Sequence, residues 1–264
     1  MSIPTTAPQT RKLGRLPAQH DARTLRLEKY IGTALPDPPQ LTAWSRKATS
    51  PWGMMANDRI GDCTCAGAGH AVQSWTANRG VEQTIADAAI VTAYSAVSGY
   101  DPRTGANDNG AVMLDVLKYW RKTGIGGHKI NAYAAIQPSN HRLVAQAAYL
   151  FGGLYAGVAL PLAAEKQLDA GQPWTVPSRG RIGWDYQPGS WGGHAIYLPD
   201  YSVPAGLTCV TWGALQGMSW AWWDAYCDEC YAILPLNDWV TGTKPAPNGF
   251  DLATLQADLA AVTR

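Results

Sequence analysis

The hydrophobic pattern changes period along the 264-residue chain. Small and apolar residues from Cys63 to about Asn78 predict a Gly-rich helix, and a second helical segment is expected around Ile85 to Val97. After the turn-forming run GYDPRTGANDNG, Val112, Met113, Val116, Leu117 and Trp120 recur at helical spacing. Asn109 or a neighbour is the expected cap of that third helix, and Gly124 its stop. Beyond it the apolar runs shorten. Gly153 to Leu160, His194 to Leu198, Leu207 to Trp212 and Glu229 to Leu234 are bounded by Gly, Pro and Asp and read as strands. Helices first and strands after predict an α+β layout.

One run, Leu143 to Ala164, is uncharged and long enough to cross a bilayer. Gly152-Gly153 interrupts it and Pro161 closes it, so it divides into a helix from His141 to Phe151, a Gly152 cap and a core strand. No membrane span is expected. The two ends differ from the body at residues 41–235. Residues 1–40 form a polar, Pro-rich arm; residues 236–264 are a linker, TGTKPAPNG, and a terminal helix with Asp251 as N-cap and a stripe of Leu252, Leu255 and Leu259. The arm reads first as a solvated segment wrapped on the body; the sharper alternatives are a pro-segment or a docking element for a protein partner, a role the terminal helix could share.

Composition narrows the class. The chain is 46% hydrophobic and 16% charged with a net charge of +1, which excludes a disordered chain and disfavours a basic nucleic-acid binder. The charge is uneven: Arg11, Lys12, Arg15, Arg23, Arg26 and Lys29 against Asp21 and Glu28 give the first 30 residues +4, leaving −3 for the rest. Twelve Trp and twelve Tyr stand against two Phe, a set that suits grooves and interfaces as well as cores. Five cysteines, unevenly spaced, do not make a disulfide framework and fit a reducing compartment. The N-terminus has no apolar signal-peptide core, so no Sec export is expected; a cytoplasmic location fits, and export by another route stays open.

The chemistry gathers around Asn57-Asp58-Arg59-Ile60-Gly61-Asp62-Cys63. With Asp62 at the N-cap, Cys63 falls in the first helical turn, where the macrodipole and free N–H groups favour a thiolate. The Asp62 charge opposes this, so a cationic partner is needed. His194, after two glycines and at the head of a strand, is the candidate; His70, seven residues along the same helix, lies about 10 Å away and reads as structural. Cys65 is the competing nucleophile. Cys227-x-x-Cys230 with Cys63-x-Cys65 could supply four thiolates, but Asp-Glu between the first pair is unlike a zinc knuckle. No metal or cofactor is expected, and no glycine-rich loop carries the lysine of a nucleotide site.

These residues resemble the papain-like cysteine peptidases. Asn57 stands six residues before Cys63 where that family has its oxyanion-hole Gln, and Gly61-Asp62-Cys63 is similar to its Gly-Ser-Cys. LPDPPQLTAWSRKATSPW resembles the family's mature N-terminus, and Asp108-Asn109-Gly110 its glycine-rich substrate wall. His194-Ala195-Ile196 is similar to its catalytic His strand, Thr211-Trp212-Gly213 to its Ser-Trp-Gly, and Glu229-Cys230-Tyr231-Ala232-Ile233 to its closing strand. The order holds from about residue 40 to 235, with a further likeness to papain-like proteins of phage and prophage.

The resemblance implies a helical subdomain with a long central helix, an antiparallel β subdomain and a cleft between them. It implies a thiol hydrolase acting on a peptide or isopeptide bond, with Cys63 as nucleophile, His194 as base, Asn57 in the oxyanion hole, Trp212 shielding the site, and Asn109 and Gly110 in the substrate wall. The family's orienting Asn is replaced by Val210, which cannot hydrogen-bond an imidazole. That departure implies a Cys-His dyad unless another polar group such as Thr211 serves. It also raises the alternative of a catalytically weak or inactive fold used for binding or structure, for instance in a virion.

Overall fold

The computed structural model describes residues 10–19, 21–31, 37–178, 180, 182–235, 253–254 and 257. The expected terminal helix lies almost wholly outside the described residues. A short strand β1 (Leu41–Ala43) precedes the first long helix, α1 (Cys63–Arg79), which is buried from Cys63 to Ala77. A helix with no polar face belongs in the middle of a protein. Its small residues let other elements close in: a Cβ at Gly67 would meet the Tyr155 ring at 3.1 Å, and one at Gly69 would meet Met55 Sδ at 2.4 Å.

Helix α2 (Asp87–Ser98) starts two residues later than the sequence predicts, Ile85 being buried in the approach, and ends on Gly99 in the left-handed region. Helix α3 (Met113–Lys122) differs from expectation at its start. Its N-cap is Val112, without a side-chain cap, and Asn109 lies in the exposed loop before it. The apolar stripe is as read, with Trp120 stacked on Trp75 at 5.6 Å between ring centroids. Strand β2 (Ile130–Ala135) follows, then α4 (His141–Phe151), capped at its start by the Asn140 side chain and at its end by Gly152. Next come β3 (Leu154–Leu160) and α5 (Leu162–Asp169). The uncharged run is therefore helix, turn and core strand, and no helix among the described residues is long and apolar enough to cross a membrane.

The remaining elements are β4 (Gly192–Ser202), β5 (Gly206–Thr211), β6 (Ala214–Ser219), α6 (Trp220–Tyr226) and β7 (Cys227–Pro235). β2, β6, α5 and α6 carry no strong sequence signal; each is short and stands on tertiary packing. The strands form one antiparallel sheet in the order β2-β7-β3-β4-β5-β6, with β1 added to β4. β3, apolar on both faces, sits between β4 and β7, and Val158 is the register partner of His194. α1 packs on β4, so the start of the central helix meets the sheet where His194 and Ala195 lie.

Most tryptophans serve this core rather than a surface. Trp174 stacks on Trp222 at 4.7 Å and bonds the Ala164 carbonyl, while Trp223 Nε1 donates to the Pro138 carbonyl. All five cysteines are unpaired.

Candidate active site

Cys63 is the first residue of α1, 1% exposed, with Asp62 at the N-cap as the sequence predicts. Asp62 makes no side-chain capping bond. Its carboxyl is fully buried, and burial pushes its pKa up to about 8, against a lowering from the neighbouring Asn57 amide. The Cys63 thiol receives N–H groups from Ala195 of β4 and from Gly14 of the arm. Burial nevertheless raises it to about 12, assisted by the Asp62 charge. Cys65, two residues along, is also buried and lies well above its usual range, chiefly through desolvation.

His194 is held from two sides. Its ring stacks on Trp212 at 4.0 Å and 12°, and Nε2 is 2.7 Å from Thr211 Oγ1. Nδ1 is buried without a hydrogen bond. When Nε2 carries the proton and donates it to Thr211, the lone pair is on Nδ1, the nitrogen that stays free to act as a base. Burial depresses the imidazole to about 3, helped by the Arg15 charge and then His70. The hydroxyl of Thr211 thus contacts the ring where Val210 cannot. Successive strand residues face opposite sides of a sheet, so Val210, in register with Tyr197 and Leu215, stands on the face opposite to Thr211.

Asn57 is buried in a tight turn with Met55 and Ala56 at positive φ, and one amide hydrogen goes to the Ile60 carbonyl at 3.1 Å. His70 bonds the Gly53 carbonyl and meets Trp52 edge-on, a structural placement as read. In the segment expected to form the substrate wall, Asp108 accepts from the Gly61 N–H and the Tyr94 hydroxyl, and the Gly110 N–H donates to that hydroxyl. Asn109 itself is exposed.

The feature that sequence reasoning missed is what fills the cleft. Residues 11–16 of the arm run through it as an extended segment. The Lys12 N–H bonds the Asn57 carbonyl, and Trp212 Nε1 donates to the Lys12 carbonyl. The Gly14 carbonyl takes the Ala111 N–H at 2.8 Å, the Leu16 N–H returns to the Ala111 carbonyl, and the Arg15 N–H reaches Gly193. The fit is close: a Cβ at Gly14 would fall 1.7 Å from the Gly61 carbonyl oxygen, one at Gly110 2.1 Å from the Gly14 oxygen, and one at Gly193 2.2 Å from the Arg15 oxygen. The sequence signals for it were the candidate pro-segment itself and its charge, +4 in the first 30 residues against −3 in the rest.

Arg15 anchors the segment. Its side chain is 2% exposed, with Nη1 2.6 Å from Glu229 Oε1 and Nη2 2.6 Å from Asp228 Oδ2. Tyr231 donates its hydroxyl to the other Glu229 oxygen. Arg11 pairs with Asp169 and lies over the Trp212 ring.

No protein-family model matches the sequence, and no curated protein matches it. Among solved structures the chain is similar to xylellain, a cysteine protease from Xylella fastidiosa, with a TM-score of 0.59 at 15% identity, covering 88% of this chain and 100% of that one. It is similar to procathepsin B S9 from Trypanosoma congolense, with a TM-score of 0.52 at 11% identity over 86% of this chain and 87% of that one. A third similarity is to the cysteine protease and lectin-like domains of the Clostridium difficile surface-layer protein Cwp84, with a TM-score of 0.55 at 9% identity, over 86% of this chain and 57% of that one. The structure and these likenesses agree on one conclusion, that the chain has the α+β papain-like fold.

Proposed function

We propose that the protein is a papain-like thiol hydrolase that cleaves a peptide or isopeptide bond and is held latent by residues 11–16. The observation that carries this is the His194 ring, fixed by Trp212 and Thr211 with Nδ1 left free, on the strand whose next N–H reaches the Cys63 thiol. In the proposed reaction His194 Nδ1 takes the thiol proton, and the Cys63 sulfur attacks the substrate carbonyl carbon. The Cys63 N–H and the Asn57 amide bind the oxyanion, and the proton then passes from His194 to the leaving amine. Water hydrolyses the thioester and restores the thiol. Thr211 holds the imidazole tautomer, the part an Asn plays in the resembling family.

The arm accounts for a site with the right groups in the wrong ionisation. A thiol near 12 and an imidazole near 3 form a neutral pair, and desolvation is the leading cause of both shifts. Water admitted to the cleft relaxes both. The arm is also not posed as a substrate, because its Gly14 carbonyl is bound by the wall at Ala111.

The test is alkylation and turnover in the full chain. The intact protein is expected to react slowly with iodoacetamide at pH 7. Arg15→Ala, which removes the anchor, is expected to react at Cys63 at least roughly tenfold faster and to cleave peptides from a mixed library, and Cys63→Ala on that background should abolish both. Fast alkylation that maps to another cysteine, or a loosened chain with no turnover, would leave a papain-like fold used for binding rather than catalysis.

A further inference from the structure

We infer that the pocket holding Arg15 is a subsite for a substrate arginine, so that the arm marks the selectivity of the site it closes; this rests on the hydrolase reading above. The pocket is built for a guanidinium. Glu229 and Asp228 are consecutive on β7, and each takes one terminal nitrogen of the same side chain at 2.6 Å. Two carboxylates meeting the two ends of one fork match arginine rather than a point charge. Tyr231 fixes the second Glu229 oxygen, so the receptor is set before the ligand arrives.

The floor of the pocket is Gly157 on β3. A Cβ there would stand 2.6 Å from Glu229 Cγ and 2.8 Å from Arg15 Cδ and Nη1. No larger residue at 157 leaves both the carboxylate and the guanidinium where they are. Glu229 is 6% exposed, and burial raises its pKa while the Arg15 charge and hydrogen bond lower it. Once the arm leaves, Glu229 and Asp228 line the pocket without their cation. A neutral side chain in its place leaves those acids unpaired, and an acidic one adds repulsion, so the pocket rejects both more strongly than it prefers one cation to another. The same segment puts Gly14 beside the thiol, so the arginine lies one residue from the backbone that covers Cys63.

Peptide binding to the full-length Cys63→Ala, Arg15→Ala chain tests this without requiring turnover. The probes are a fluorescent Lys-Leu-Gly-Arg-Leu-Pro peptide, copied from residues 12–17, and the same peptide with citrulline, the neutral isostere of arginine, followed by anisotropy. The arginine peptide should bind roughly 30-fold tighter or more, and adding Glu229→Gln should remove most of that preference. If Arg15→Ala fails to fold, Arg15→Gln, which keeps much of the side chain's length but leaves no cation between the carboxylates, carries the same comparison. Equal affinity for the two peptides, or a preference that survives Glu229→Gln, overturns the subsite. The outcomes separate the two proposals: lost arginine preference leaves Cys63 alkylation untouched, and an inert Cys63 leaves arginine binding untouched.

Discussion

Two buried polar clusters lie in the same cleft and solve burial in opposite ways. Around Arg15 the charges are kept: guanidinium, two carboxylates and a tyrosine hydroxyl meet at 2.6–3.0 Å. Around Cys63 the charges are given up: thiol and imidazole are neutral, both Asp62 oxygens lack a full hydrogen bond, and His194 Nδ1 has none. Arg15 keeps its charge because both terminal nitrogens are paired, although its Nε is buried without a hydrogen bond and Asp228 is partly exposed; removing one member of a fully buried pair costs about 3–5 kcal/mol, an upper bound here. A buried group with no partner neutralises instead. In the proposed latent state the first cluster holds the arm down, and the second is what the arm's presence keeps uncharged.

The comparison breaks most sharply where the arm touches the floor. Gly14→Ala puts a methyl 1.7 Å from the Gly61 carbonyl oxygen, a collision with backbone that only withdrawal of the segment relieves. It leaves the Arg15 side chain and its carboxylates chemically unaltered. The expected result is a Cys63 alkylation rate up roughly 100-fold, measured by mass spectrometry of the labelled thiol. Gly110→Ala approaches the same contact from the wall, 2.1 Å from the Gly14 oxygen and at a φ of +82° that disfavours any side chain, and should act in the same direction. If neither variant speeds alkylation, the arm is not what protects the thiol.

The Cys63 and His194 half of the comparison is sharpened at Thr211. Thr211→Val keeps the shape and removes the hydroxyl 2.7 Å from His194 Nε2. On the Gly14→Ala background kcat should fall roughly tenfold with little change in KM, the loss of one buried neutral hydrogen bond, and Thr211→Ser should restore most of it. An unchanged kcat would mean that the ring is oriented by the Trp212 stack alone.

What could be read from the sequence follows from how local each signal is. The position of Cys63 at a helix start, the glycines before His194, the Gly152 cap and the span Leu154–Leu160 are short-range patterns, and the structure repeats them. The expected cap at Asn109 was not repeated. The loop there is set by Asp108, which bonds Gly61 and Tyr94, both distant in sequence, so the helix begins after Val112 instead. Residues 11–16 have no period of their own, and their conformation comes from partners at positions 57, 111, 193 and 229. Thr211 was legible only as a hydroxyl beside Trp212; which face it occupied depended on β5 pairing with β4.

Asp62 offers the smallest and cleanest difference between the clusters, because its carboxyl is buried with no cation beside it. In the unfolded chain it titrates near 4, and in the folded protein near 8. Between those values the folded state holds a proton that the unfolded state has lost. Stability from this group is therefore full below about pH 4, falls as pH rises, and levels off above about pH 8. His194 and His70, depressed to about 3 and about 4 by burial, act in the other direction, losing stability as pH falls below their unfolded values. Asp62→Asn leaves the histidines in place, so the difference in Tm between variant and parent isolates the carboxyl. That difference should be near zero at pH 4, grow toward pH 8, and then stay constant, a rise in Tm that corresponds to a gain in unfolding free energy of a few kcal/mol at most. The same substitution removes a charge that raises the Cys63 thiol, so on the Gly14→Ala background the alkylation profile should shift to lower pH. A Tm difference that is flat with pH would mean that Asp62 is ionised in the folded protein, and the neutral description of this half of the cleft would fail.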